Sequence, residues 1–178
     1  MKIFILIALC LASIFNSALA KEVLDLNFCG KVTVEDVEKM LEKKGLNIGD
    51  KISDDELSNS IQIKVINYNI ADLYKEVSFS LFKDKLYFIG FPDGHGLNGI
   101  LRAKYGAPFK TISRNLGWGT VNTFYYNSNE PDIEIAESYV NGRSSISYTC
   151  KSIERQRAAV LEKLRSQKEM KKIGANGL

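Results

Sequence analysis

Brief polar breaks between alternating apolar runs force much of this chain into antiparallel hairpins. Val77, Phe79 and Leu81 alternate with Ser78 and Ser80, the pattern of a half-buried strand. Only Lys83-Asp84-Lys85 separates that run from Leu86-Tyr87-Phe88-Ile89. A parallel crossover needs about a dozen residues or more, so the two runs must turn straight back on each other. The same holds at Asn141-Gly142, a preferred type I′ pair, between strands predicted at 132–139 and 144–150.

Ile61, Ile63 and Val65 alternate with Gln62 and Lys64 in the same way, and 120–126 is a further strand ended by the polar turn at 127–131. Two helices punctuate these strands. Thr33 has the hydroxyl to cap the first, with Glu35 and Asp36 in the turn where the helix dipole favours negative charge. Val34, Val37, Met40 and Leu41 give it one apolar stripe, and Gly45 stops it. Leu97, Ile100 and Leu101 mark the second, ended by Gly106 and Pro108. Segments 47–59 and 109–119 read as loops. Each half therefore reads α-β-β-β. The expected fold is α+β, an antiparallel sheet of about six strands with two helices on one face. A long charged helix over 153–172 follows, with Ile153, Val160, Leu161 and Leu164 as a narrow apolar stripe.

The N-terminus supplies an address. Lys2 precedes an apolar run over 3–15, and Ala18-Leu19-Ala20 presents small side chains where a signal peptidase cuts. Residues 1–20 are read as a signal peptide too short to span a bilayer, which puts the mature protein in the periplasm or outside the cell. Cys10 leaves with the signal, so Cys29 and Cys150 remain and are expected to pair in an oxidising compartment. A redox or metal pair is the alternative, without any CxxC to support it.

Charge divides the mature chain into a domain over 21–152 and a basic C-terminal helix and tail over 153–178. Residues 21–150 hold 15 Lys/Arg against 18 Asp/Glu, whereas 151–178 hold 8 against 3. A mildly acidic body with a basic arm suits an envelope protein or an anionic surface as partner, and the exported address argues against nucleic acid. No transmembrane segment is expected after signal cleavage.

No P-loop, GxSxG elbow, HExxH or CxxC is present, and His95 is the single histidine. Within Asp93-Gly94-His95-Gly96 it reads as part of a polar turn; the catalytic alternative makes Asp93 its orienting carboxylate. Two acidic groups, Asp50/Asp54/Asp55/Glu56 and Glu130/Asp132/Glu134, keep a carboxylate-based cell-wall hydrolase open as the rival function. No catalytic residue, metal ligand or cofactor is assigned. Among the aromatic residues Trp118, Phe124, Tyr125, Tyr126, Tyr139 and Tyr148, about half must alternate into the core, which leaves Trp118 and Tyr125 as candidate anchors for a partner.

At Lys85-Leu86-Tyr87-Phe88-Ile89, and again over 101–108 (LRAKYGAP), the chain resembles small uncharacterised exported proteins of Gram-negative bacteria that share a "KLY.I … L..KYG.P" pattern. The layout also resembles the β-lactamase-inhibitor-protein-like architecture, shared by small outer-membrane assembly accessories. That resemblance implies helices lying across an antiparallel sheet and binding to protein, and it carries over no catalytic residue. The chain departs from the lipoprotein members in lacking a lipidation cysteine. The expected function is a non-enzymatic exported module that binds an envelope protein, as inhibitor or assembly accessory. Trp118, Tyr125, Arg155, Arg157, Lys163 and Arg165 are the expected contacts. A structural or exclusion protein docked on the membrane surface by its basic helix is a further alternative.

Overall fold

The computed structural model describes residues 26–46, 48–53, 57, 59–70 and 72–176, with side chains to residue 170 except those of Ser53 and Tyr74. The predicted signal peptide and the acidic residues 54–56 lie outside the described residues. The elements run α1 (Val34–Lys43), β1 (Asp50–Ser53), β2 (Ser60–Ile70), β3 (Leu73–Phe82), β4 (Leu86–Phe91), α2 (Leu97–Tyr105), β5 (Lys110–Asn115), β6 (Thr120–Tyr126), β7 (Ile133–Val140), β8 (Arg143–Cys150) and α3 (Lys151–Asn176). All eight strands join one sheet in the order β1-β2-β3-β4-β8-β7-β6-β5, every pair antiparallel.

The α+β class is as expected, but the sheet has eight strands where about six were expected. The two additional strands, β1 and β5, fall in segments read as loops. Both lie at the outer edges of the sheet. An edge strand has a neighbour on one side only and is commonly polar on both faces, so Asp50-Lys51-Ile52-Ser53 and the predominantly exposed β5 show little apolar alternation. Each half is therefore one helix followed by four strands. The last strands of the halves, β4 and β8, meet at the centre, with Ile89 opposite Tyr148.

Helix α1 starts on a reciprocal cap. Thr33 Oγ1 accepts the Asp36 N–H at 3.2 Å and Asp36 Oδ2 accepts the Thr33 N–H at 2.8 Å. The Thr33 N–H, then the Thr33 hydroxyl that donates to the same oxygen at 2.8 Å, hold the Asp36 carboxyl below its usual range. The buried stripe Val37, Met40 and Leu41 faces the sheet, and Tyr68 of β2 directs its hydroxyl to the Met40 sulfur. Across six successive strands Ile63, Phe79, Ile89, Tyr148, Ile135 and Tyr126 lie opposite one another. All six are almost wholly buried. Truncating Phe79 to alanine in the middle of this row would cost about 3–5 kcal/mol.

Cys29 and Cys150 are joined, their Cα atoms 5.4 Å apart, tying the segment before α1 to the last strand across a sequence separation of 121. Helix α3 leaves β8 without a linker, two residues earlier than the periodicity suggests. Ile153 is buried and Val160, Leu161 and Leu164 pack against the core. Through this stripe at least, α3 is docked on its own domain.

Candidate functional site

The strand alternation that builds the core also builds the opposite face. On that face Asp50, Lys64, Ser78, Gly90, Ser147, Ala136, Tyr125 and Lys110 lie opposite one another in turn across all eight strands. The row is small in the middle and tall at both ends. Beside it Ser145, Ser138 and Thr123 form a second row, the last two with hydroxyls 3.1 Å apart. The result is a trough floored by serine, glycine and alanine. A Cβ added at Gly90 would fall 2.6 Å from the Phe88 ring, so the missing side chain is what lets Phe88 lie across the floor. A depression of about 160 Å³ there is lined by Gln62, Ser78, Phe88, Ser145 and Ser147 among others.

Helix α3 meets this face near β4. The Arg157 guanidinium lies 5.4 Å from the centroid of the Tyr87 ring and donates to both Glu154 oxygens at 3.0 and 3.2 Å. Burial pushes the Tyr87 phenol above its usual value, while hydrogen bonds to Ser60 and Ser80 act in the opposite direction.

The predicted contacts divide between two places. Trp118 is 64% exposed at the tip of the β5–β6 hairpin. Tyr125 is half-buried at the trough rim, with Lys110 Nζ 5.5 Å from its ring centroid. Arg157 packs near β4 instead, with β8 and β7 intervening before β6. Arg155, Lys163 and Arg165 are exposed along α3. Arg157 is thus committed to the fold, and the aromatic and basic groups are not brought together as one surface. Phe124, Tyr126, Tyr139 and Tyr148 alternate to the helix-covered side.

No family model, curated protein or solved structure matches this chain. Nothing in these comparisons indicates an enzyme activity.

Asp93 and Asp132 have structural partners. Asp93 Oδ2 accepts from Lys75 Nζ at 2.7 Å and Oδ1 from the His95 backbone N–H at 3.0 Å. The Lys75 bond, then that backbone bond, hold the Asp93 carboxyl below the usual carboxylate range. The carboxylate orients a turn by holding the His95 backbone N–H. Asp132 caps α3 through the Ser152 N–H at 3.0 Å, while Glu134 is exposed. A cavity of about 650 Å³ beside α1 is lined by Lys31, Lys39, Lys43 and Lys44 with Asp36, the opposite charge to an acidic cleft. Cys29, Asp132 and Cys150 offer ligand atoms within 4.8 Å of one another, but both sulfurs are in the disulfide and neither is a thiolate. Among the described residues, no helix is long and apolar enough to cross a membrane.

Sequence reasoning missed the trough. Its signal was present in the outward serines of two strands, Ser78 and Ser80 on β3 and Ser145 and Ser147 on β8. What was missing was the register that sets these strands on either side of β4.

Proposed function

We propose that this chain is an exported, non-enzymatic module that binds an envelope protein across the trough, as an inhibitor or an assembly accessory. The observation that carries the reading is the eight-strand row with a small centre and tall rims. A floor of serine, glycine and alanine lets a protruding loop of another protein approach the sheet closely. The rims supply Tyr125 with Lys110 on one side and Lys64 with Asp50 on the other, the aromatic and charged groups that fix such a loop in register. Helices α1 and α2 on the other face support the β-lactamase-inhibitor-protein-like reading. The disulfide is compatible with the oxidising compartment that the signal peptide predicts. Among the described residues the hydrolase reading has no comparable observation, and Asp132 is engaged as a helix cap.

Capture from envelope extract by residues 21–178, beside a Ser147→Arg variant of equal thermal stability, tests the proposal. A single stoichiometric protein retained by the parent and lost with Ser147→Arg supports it. Equal retention by both chains, or no retained protein together with turnover of peptidoglycan, overturns it.

A further inference from the structure

We infer that the free edge of β5 is a second binding site, one that takes an extended acidic segment of a partner protein as a ninth strand. Among the described residues, β5 is the last strand of the sheet and pairs only with β6. Its register shows which backbone groups remain available. Leu116 N–H bonds the Gly119 carbonyl at 3.0 Å, so by antiparallel alternation Arg114, Ile112 and Lys110 direct their backbone groups to β6. Phe109 N–H reaches the Tyr125 carbonyl at 2.9 Å, closing the inner ladder at its start. Thr111, Ser113 and Asn115 therefore point their N–H and C=O groups away from the sheet, over a strand of about 20 Å.

Apolar side chains flank that edge at both ends. Phe109 is 61% exposed, Leu116 47% and Trp118 64%, half of the six large hydrophobic residues exposed among the described residues. Exposed apolar groups gathered around an unpaired strand edge mark a place where another chain adds.

Charge selects the occupant. β5 carries Lys110 and Arg114 and no acidic residue, and the sequence has no aspartate or glutamate between Asp93 and Glu130. On the trough face of β5 the order is Lys110, Ile112, Arg114. Side chains of an added strand stand beside these three, so the matching pattern is acid, any residue, aliphatic residue, any residue, acid. A cationic strand is repelled at both outer positions. This site does not depend on the trough reading, because β5 can add a strand whether or not the trough is filled.

The sole tryptophan, Trp118, reports on the site directly. The probe is a capped seven-residue peptide with two glutamates flanking a central Thr-Val-Thr, titrated into residues 21–178 while the emission of Trp118 is followed. A saturable blue shift is expected, weakened about tenfold or more when the glutamates are replaced by lysine, and weakened by salt at the scale of the Debye length. Ser113→Pro removes an outward N–H and leaves the backbone ladder to β6 in place; it also removes the bond from the Ser113 hydroxyl to Asn122 Oδ1 at 2.6 Å, so Ser113→Ala is its matched control. Ser113→Ala is expected to keep the shift, and Ser113→Pro to match its melting temperature and lose the shift. Arg114→Glu is expected to reduce the response to the glutamate peptide and raise that to the lysine peptide. Ser147→Arg, which fills the trough, is expected to leave the titration unchanged, so failure here is separable from failure of the trough reading.

Three results would overturn the inference. One is no emission change up to millimolar peptide, and another is an equal response from folded Ser113→Pro. The third is a shift that depends on protein concentration alone and vanishes in Ser113→Pro, which assigns the edge to a second copy of this chain.

Discussion

Asp132, in the turn before β7, caps a helix that begins 19 residues further on: its Oδ1 accepts the Ser152 backbone N–H at 3.0 Å. The Lys151 N–H bonds the Asp132 carbonyl at 2.9 Å, and the Ser152 hydroxyl donates to Asp132 Oδ2. Helix α3 follows β8 directly, so Cys150 stands where a capping side chain would be and is held in the disulfide. A residue from a neighbouring turn supplies the acceptor that the local sequence lacks. Asp132→Ala is expected to cost about 1–2 kcal/mol. Amide exchange should accelerate first at the start of α3 and leave α1 unchanged.

The β3–β4 turn offers a stabilising change. Lys83 and Asp84 both have positive φ, 52° and 53°, like Asn141 (49°) and Gly142 (78°) in the β7–β8 turn. Both pairs close two-residue hairpins, but only the second has a residue free of the Cβ penalty. Asp84→Gly is expected to raise stability by about 1 kcal/mol. Thermal melting checks it, with an increase of about 2–4 °C.

Changes along α3 should separate by what each side chain touches. Arg157→Ala loses the contact with Tyr87 and the bidentate pair with Glu154, together worth about 1 kcal/mol. Lys163→Ala, on an exposed position, should change stability by less than about 0.5 kcal/mol. Urea unfolding of the two variants against the parent gives the comparison.

Lys104 sets a pH dependence. Its Nζ is buried without a hydrogen-bond partner among the described residues, 4.8 Å from the Tyr105 ring centroid, and burial lowers its pKa. A lowered folded-state pKa means that the unfolded chain binds the proton more tightly. The charged form therefore costs stability at neutral pH, and the cost is relieved as pH rises from the lowered value through the ordinary lysine value of about 10.4. Lys104→Met is expected to raise the melting temperature at pH 7, with a smaller gain at alkaline pH. A gain that does not change with pH would show that the methionine acts through packing alone.

The parts of the fold legible in the sequence are those determined by neighbours along the chain. Thr33 and Asp36 cap α1 within one turn, Gly45 with φ 68° stops it, and Asn141-Gly142 turns the last hairpin. The edge strands were not legible, because β1 and β5 have little apolar alternation to bury. The candidate site was legible only in pieces: Trp118 and Tyr125 stood out by residue type, whereas Ser78, Gly90 and Ser147 become a floor only when three strands are aligned.

By itself the sequence determined the residue types, the hairpin turns, the helix caps and the two cysteines available to pair, all properties of contiguous residues. Only the tertiary structure decided that β4 lies beside β8, that Asp132 caps α3, that Arg157 packs on Tyr87 and that β5 ends the sheet. Those contacts join residues far apart in the chain. Their register comes from burying one continuous apolar row across six strands, and local spacing does not encode which strands share it.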